Sequence, residues 1–559
     1  MRYLAFATDY DGTLAHHGVV DGETVDALRR LKASGRKLIL VTGRQMDDLA
    51  RVFPELPLFD LVVGENGALI YRPERRETRR LAEPPPSSFV EELRRRGVEP
   101  LAVGQVVVAT EQPNERVVIE VIRELGLELQ VIFNKGSVMV LPSSVNKASG
   151  LQAALDEFSL SPHNVVGIGD AENDHAFLSV CECGVAVANA LDAVKQRADH
   201  VTEGRASVGV REVIEALISN DLHALEAATL RRHSILLGHA GDDPVVLSPY
   251  GSGVILAGPS GGGKSSLARG FLERLADQRY QFCIVDPEGD YDNFAVAVTI
   301  GTPDRPPTIG EVMRILEGPH ENVAINLLGL RLPERPEFFE QLLPRVHELR
   351  ARTGRPHWMV VDEAHHLLPS SWGQVDVTLP QALTSTLLIT VHPEALAKDV
   401  CNQIDIVLAM GAPADVLRPF GGKTDVSLAP GEALIWSRRD GPPRRFRILP
   451  GQLERQRHLR KYAAGDLGPN AFYFRGPDGR LNLRAQNLAM FLQIADGVDD
   501  ETWLHHLRRG DYARWFKTAI KDRELEAAAR KAEALGDKPA GEGRRLIRDA
   551  IEQRYTAPA

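Results

Sequence analysis

The sequence predicts an α/β protein of three domains: an α/β domain with a small α+β cap, a phosphate-loop α/β domain, and a mainly helical C-terminal domain. Three observations predict it. An apolar run, Tyr3 to Thr8, leads into Asp9-Tyr10-Asp11-Gly12-Thr13-Leu14. A second run, Val254 to Ala257, leads into Gly258-Pro259-Ser260-Gly261-Gly262-Gly263-Lys264-Ser265. From Gly451 onward no strand-and-motif pairing recurs. Short continuous apolar runs suit buried parallel strands, whose C-terminal ends carry the sites of open α/β sheets.

With 559 residues the chain is too long for one core. The expected domains are residues 1–220 (cap about 84–145), 225–450 and 451–559. An apolar content of 43% with 25% charged residues excludes disorder. A net charge of -10 argues against a general nucleic-acid coat, though not against a local basic patch. Four cysteines make no disulfide scaffold, so a reducing cytoplasm is expected, with Cys181 and Cys183 as buried thiols. No apolar run reaches membrane-spanning length and no cleavable leader is evident, so neither export nor anchoring is expected.

Asp9 and Asp11 stand at the end of the first strand, where one carboxylate can attack phosphorus and the other can carry the leaving group's proton. Gly12 and Thr13 turn the backbone toward the phosphate. A second strand, Lys37 to Val41, ends in Thr42-Gly43-Arg44, which offers a hydroxyl, a flexible turn and a cation. Asn146-Lys147 puts an ammonium at the start of a helix running from about Ala148 to Phe158. Val165 to Ile168 delivers Gly169-Asp170-Ala171-Glu172-Asn173-Asp174, acids suited to a hard cation such as magnesium.

With these four motifs in order, and with Gly64-Glu65-Asn66-Gly67-Ala68 and Gly184 to Ala190, residues 1 to about 220 resemble the haloacid dehalogenase superfamily, in particular its Cof-type phosphatases. The resemblance implies a Rossmann-like fold with Asp9 as nucleophile and Asp11 as general acid/base. Thr42 and Lys147 would bind phosphate, helped by Gly12, Thr13, Gly43, Arg44 and Asn173. Magnesium would be held by Asp9, the Asp11 carbonyl and Asp170, with Asn173 and Asp174 supporting. Ala148 stands where relatives often have Gly. The family's cap belongs between Arg44 and Lys147. After a hinge at Pro84-Pro85-Pro86, the pattern predicts a helix (88–96), a strand (101–110), a helix (114–125) and two strands (129–133, 137–141).

The second motif is a complete eight-residue phosphate loop. Gly258, Gly261 and Gly263 let main-chain N–H groups approach the phosphates of ATP, Lys264 meets the β and γ groups, and Ser265 ligates magnesium. A helix is expected from Ser266 to Leu275. Trp358 to Val361 leads into Asp362-Glu363-Ala364-His365, where Asp362 serves the magnesium shell and Glu363 polarises the attacking water. With Asp286-Pro287-Glu288-Gly289-Asp290-Tyr291 and the returning strand Gly431 to Ile435, residues 233–450 resemble HerA/FtsK-type ATPases. That resemblance implies a RecA-like domain and a ring, most simply a hexamer. Two departures stand out. Asn220 to Gly251 is too short for the N-terminal barrel of HerA proteins, and Thr390-Val391-His392-Pro393 stands where a glutamine sensor is common.

In the C-terminal stretch, 488–507, 511–520 and 524–535 read as helices. Arg508, Arg509, Arg514, Lys517, Arg544, Arg545 and Arg548 lie among Trp503, Tyr512 and Trp515. A helical bundle with aromatics inside is favoured over a nucleic-acid platform by the nearby acids. The leading function is a magnesium-dependent phosphomonoester hydrolase fused to an ATPase, with a phosphorylated small molecule as substrate. Two alternatives are a nucleic-acid machine with an end-trimming phosphatase and an ATP-gated regulatory phosphatase.

Overall fold

The central strands form where four or five consecutive residues can all be buried. Ala5–Thr8 and Val165–Gly169 are buried at every position. Their sheet runs His200–Val201, Cys183–Ala186, Val165–Gly169, Ala5–Thr8, Lys37–Val41, Leu61–Gly64, Leu69–Arg72, Glu77–Arg80. The first six are parallel, and an antiparallel hairpin closes the far edge. The strands ending at Thr8, Val41 and Gly169 are adjacent, which gathers three of the four motifs at one rim. This is the Rossmann-like α/β fold the sequence implied.

The structure is a computed structural model that describes residues 1–134, 136–225, 232–292, 294–355, 357–368, 383–439, 441–451, 467–520, 522–535 and 539–555. They fall into two units, Met1–Lys264 with Arg274–Ile448, and Ser265–Glu273 with Leu449–Ala559.

Within the first unit the cap is a four-stranded antiparallel sheet ordered Ala102–Val103, Val108–Glu111, Ser137–Pro142, Leu129–Asn134, with helices Ser87–Arg95 and Glu115–Glu124. The strand expected over 101–110 is two short ones. The turn between them gives its N–H groups to a carboxylate outside the cap, described below.

Among the described residues the phosphate-loop sheet has eleven strands. Seven are parallel, in the order Ile406–Ala409, Gly253–Ala257, Thr386–Thr390, Trp358–Val361, Phe282–Asp286, Val323–Asn326, Val298–Ile300. Four antiparallel strands extend the other edge. Two of them, Ile235–Ala240 and Asp243–Leu247, come from the segment too short to make a barrel. It forms a hairpin on the sheet instead.

Glu182 is the buried hub between these two parts of the first unit. Its side chain has no exposed surface. It accepts from Arg2 Nη2 (2.5 Å) and from the Tyr280 hydroxyl (3.2 Å), and it pairs with His163 Nδ1 (2.5 Å). His163 stacks on Tyr280 with centroids 3.8 Å apart, and its Nε2 meets the Gln278 carbonyl at 2.8 Å. Burial alone would raise the Glu182 carboxyl, but the hydrogen bond with His163 and the charges of His163, His233 and Arg2 hold it at about 2. A carboxyl depressed in the fold stabilises it above the ordinary carboxylate range, and that contribution is lost as pH falls toward about 2. Glu182→Ala removes the carboxylate from Arg2, which is left with the Tyr250 ring (3.6 Å to its centroid), and should destabilise the first unit by about 3–5 kcal/mol. Urea unfolding at neutral pH checks it, and a transition superimposable on wild type would refute the hub.

The second unit packs helices around aromatic rings. Trp503 stacks on Tyr512 at 4.4 Å, and Phe491 on Trp515 at 5.1 Å. The helix expected over 488–507 is two, Leu488–Gly497 and Asp500–Arg508. Asp499 caps the second by accepting from Thr502 N. A strand pair, Phe472–Phe474 with Leu483–Ala485, and a last helix, Ala540–Tyr555, were not expected. Trp503, Tyr512 and Trp515 are buried, and Arg544 and Arg548 pair with Asp500 and Asp496. These are features of the bundle reading. Among the described residues no helix is long and apolar enough to cross a membrane.

Candidate functional site

Lys147 is the keystone of the first site. Asn146 caps its helix by accepting from the N–H groups of Ala148 and Ser149. The helix end sits close because residue 67 is glycine: its φ is +101°, and a Cβ there would lie 1.9 Å from the Asn146 carbonyl oxygen. Lys147 is 1% exposed, and its ammonium donates to Asp9 Oδ1 (2.5 Å) and Asp174 Oδ1 (2.6 Å). Oδ2 of Asp174 accepts from the N–H groups of Asp170 and Ala171 (2.8 and 2.9 Å), so both of its oxygens are committed. Thr13 Oγ1 donates to Asp170 Oδ1 at 3.3 Å. Burial and the Asp174 charge push the Asp9 carboxyl up, against Lys147, which pulls it down.

Asp9, Asp170 and Asp174 are all buried, with one oxygen of each within 4.8 Å of the others. Three carboxylates against one ammonium leave two negative charges in excess, a donor set that fits a divalent, oxygen-liganded cation.

The remaining expected residues divide. Thr42 is buried on the same rim, and its Oγ1 accepts from Arg44 N (3.1 Å). The Arg44 guanidinium donates to both oxygens of Asp11 (2.7 Å each) and to Asp48 (2.5 Å). The cation read as a phosphate ligand is thus placed on the second aspartate. Asn173 Nδ2 donates to Asn66 Oδ1 (3.0 Å). A Cβ at Gly43 would lie 3.5 Å from Sδ of Met139, a cap residue. Asn66 and Met139 were missed. Asn66 had a signal in its motif, while Met139 had none in its strand of apolar residues.

Sequence reasoning also missed what Glu65 does. Its carboxylate accepts three cap N–H groups, from Gln105 (2.8 Å), Val106 (2.7 Å) and Val107 (2.9 Å). Glu65 is 1% exposed and has a φ of +49°, a left-handed conformation costly for a non-glycine residue.

At the second site Gly258, Gly261 and Gly263 all have positive φ, and the helix Lys264–Asp277 begins directly after Gly263. Ser265 is the second residue of that helix. Lys264 Nζ donates to the carbonyls of Gly258 (3.0 Å) and Pro259 (3.1 Å). Burial lowers its pKa, and Glu363 and Asp362 oppose that. A cation bonded to neutral carbonyls on a glycine loop fits a phosphate. Asp362 is pushed up to about 7, chiefly by burial. Glu363 has a φ of +41°, and burial raises its carboxyl. His365 Nδ1 lies 3.1 Å from Thr390 Oγ1 and 3.4 Å from Glu363 Oε2. His392, at the expected sensor position, pairs with Glu394 (3.1 Å).

Comparison with known proteins agrees with both halves. Residues 6–94 and 102–214 match the family model of haloacid dehalogenase-like hydrolases, and residues 254–366 match the central domain of helicase HerA. A phosphoglycolate phosphatase 2 of Saccharolobus solfataricus is 27% identical over 227 residues, 39% of this chain and 94% of that protein. A phosphoglycolate phosphatase of Methanothermobacter thermautotrophicus is 28% identical over 219 residues, 38% of this chain and 96% of its own length. A solved haloacid dehalogenase-like hydrolase from Bacteroides thetaiotaomicron aligns with 38% of this chain and 99% of its own at 21% identity, with a TM-score of 0.34. The chain is therefore a fusion, in which an N-terminal haloacid dehalogenase-like hydrolase domain of Cof type is joined to a HerA-type central domain.

Proposed function

We propose that the N-terminal domain hydrolyses phosphate monoesters through an aspartyl-phosphate on Asp9, and that the phosphate-loop domain binds and hydrolyses ATP. The observation that carries the first half is Lys147, buried between Asp9 and Asp174 at the rim where the strands end. An Asp9 oxygen attacks phosphorus as the bond to the ester oxygen breaks, and Asp11 gives that oxygen its proton. Asp11 then takes a proton from the water that attacks phosphorus, and phosphate leaves with Asp9 regenerated. Lys147, Thr42 and the N–H groups of Thr13 and Gly43 hold the phosphate, with Asn173 at its edge, whereas the Gly12 N–H is committed to the Ala15 carbonyl (3.0 Å). Arg44 bonds both Asp11 oxygens (2.7 Å each), so one of these bonds opens when Asp11 takes up the proton that it passes to the leaving oxygen.

Asp9, the Asp11 carbonyl and Asp170 would hold magnesium, with Asp174 fixing Lys147 and the turn at Asp170. The metal supplies charge neutralisation between Asp9 and an anionic substrate. The names of the relatives direct the substrate search to phosphoglycolate, a small phosphorylated acid. A screen of phosphoglycolate, sugar phosphates and nucleic-acid ends, with and without magnesium and ATP, tests the reading. It fails if no phosphate ester turns over with magnesium present.

In the phosphate-loop domain, the order of the parallel strands supports a RecA-like assignment, because the strand Thr386–Thr390 separates the loop strand from the Asp362 strand. Lys264 and Ser265 would serve the ATP phosphates and magnesium, Asp362 the metal shell, and Glu363 the attacking water. We expect a ring, most simply a hexamer, favoured by ATP in proportion to its preference for the assembled state. Light scattering of the full chain with ATP and magnesium measures this. A monomer with undiminished ATPase activity would exclude the ring.

A further inference from the structure

We propose that the C-terminal unit holds a third phosphate-binding site, in a cleft walled by Arg475, Arg509 and Arg514. The cleft measures about 430 Å³ and is also lined by Tyr473, His505 and Thr518. That volume exceeds what one phosphate needs and suits a phosphate carried on a planar group.

The charge balance of the cleft points to an anion. Among the described residues Asp511 is its one acidic lining residue. Arg509 and Arg514 approach that carboxylate only at 3.3 and 3.4 Å. Asp511 already accepts from His506 Nδ1 at 2.9 Å. His506 is fixed in turn, because its Nε2 accepts from the Arg475 main-chain N–H (2.9 Å). Among the described residues no carboxylate pairs with Arg475, whose guanidinium lies 5.6 Å from the Tyr473 ring centroid. Among the described residues the cleft lining therefore carries three arginines against one carboxylate, which only Arg509 and Arg514 approach, leaving two positive charges in excess.

Elsewhere in this unit Arg530, Arg544 and Arg548 pair with three different carboxylates, Glu526, Asp500 and Asp496, whereas Arg509 and Arg514 share one. Asp511 is 16% exposed while Arg509 and Arg514 are above 60%, so the acid is covered and the cations are presented. Guanidinium groups bind phosphate oxygens in bidentate fashion, and Tyr473 and His505 offer rings to a base. A free nucleotide and the nucleotides of a single strand share that chemistry.

Arginine footprinting tests the site residue by residue, so the other two phosphate sites do not obscure it. The full chain is modified with phenylglyoxal, alone and with inorganic phosphate, AMP or a single-stranded oligonucleotide, at ionic strength matched with chloride. Peptide masses then give the modification of each arginine. We expect Arg509 and Arg514 to be protected in at least one phosphate arm, and the arm that protects identifies the source. We further expect the Arg509→Gln/Arg514→Gln double variant to bind that ligand at least tenfold more weakly, with ATP affinity at the phosphate loop unchanged. Protection no greater than that given by chloride in every arm would overturn the proposal, and the footprint stands even if the double variant does not fold.

Discussion

Asp9→Asn should reduce phosphatase turnover by roughly 10⁴-fold or more, the scale on which losing a covalent nucleophile acts. An amide is a far poorer nucleophile toward phosphorus, so the aspartyl-phosphate does not form. The chain should still fold, because asparagine keeps the shape of the side chain and Lys147 retains its partner Asp174 at 2.6 Å. Stopped turnover with an unchanged circular dichroism spectrum is the expected pair of results. Wild-type rates from the purified variant would remove Asp9 from the mechanism. Chelation should abolish the wild-type activity as well, since two uncompensated charges would then face an anionic substrate.

The second large effect separates binding from hydrolysis at the phosphate loop. Lys264→Ala deletes an ammonium whose partners are the two carbonyls of its own loop. A hydrogen bond to a charged group contributes about 1.5–3 kcal/mol, so ATP affinity should fall roughly 10- to 100-fold. Glu363→Gln keeps the side chain's shape and removes its basicity. ATP should bind as before, with hydrolysis slowed by about 10²–10⁴-fold. Equal hydrolysis by this variant and wild type would transfer the water to another group. His365, placed between Glu363 and Thr390, is the candidate the geometry offers.

What could be read in advance was local. An apolar run followed by a motif needs only its own letters, which is why Asp9, Asp170 and Lys264 were found together with their strands. The parallel order could not be read, but the strand-end rule placed the first site's motifs on one rim. Relations over long separations were not legible. Nothing in Glu65 announces that it bonds residues forty positions away, and nothing in Glu182 announces Arg2. Arg44 was read as a phosphate ligand because its bond to Asp11 crosses between two strands. The break between Leu488 and Leu507 had a visible cause in Asp499, a capping residue that helical periodicity alone overlooks. The C-terminal arginines were read as one population. Folding sorts them, pairing Arg544 and Arg548 with separate acids and leaving Arg509 and Arg514 to share Asp511.

The bond between Glu65 and the cap has a consequence for how such a protein can diversify. The carboxylate recognises three peptide N–H groups, of Gln105, Val106 and Val107, and no side chain among them. Every residue but proline supplies such an N–H, so these three bonds do not depend on side-chain chemistry. The turn is still constrained at Gly104, where a Cβ would lie 2.6 Å from Glu65 Oε1. The grip is thus written in the main chain and one glycine, while the cap's Met139 reaches the loop at Gly43 through its side chain. A cap fastened in this way can change residues outside that turn while its fastening stays as it is.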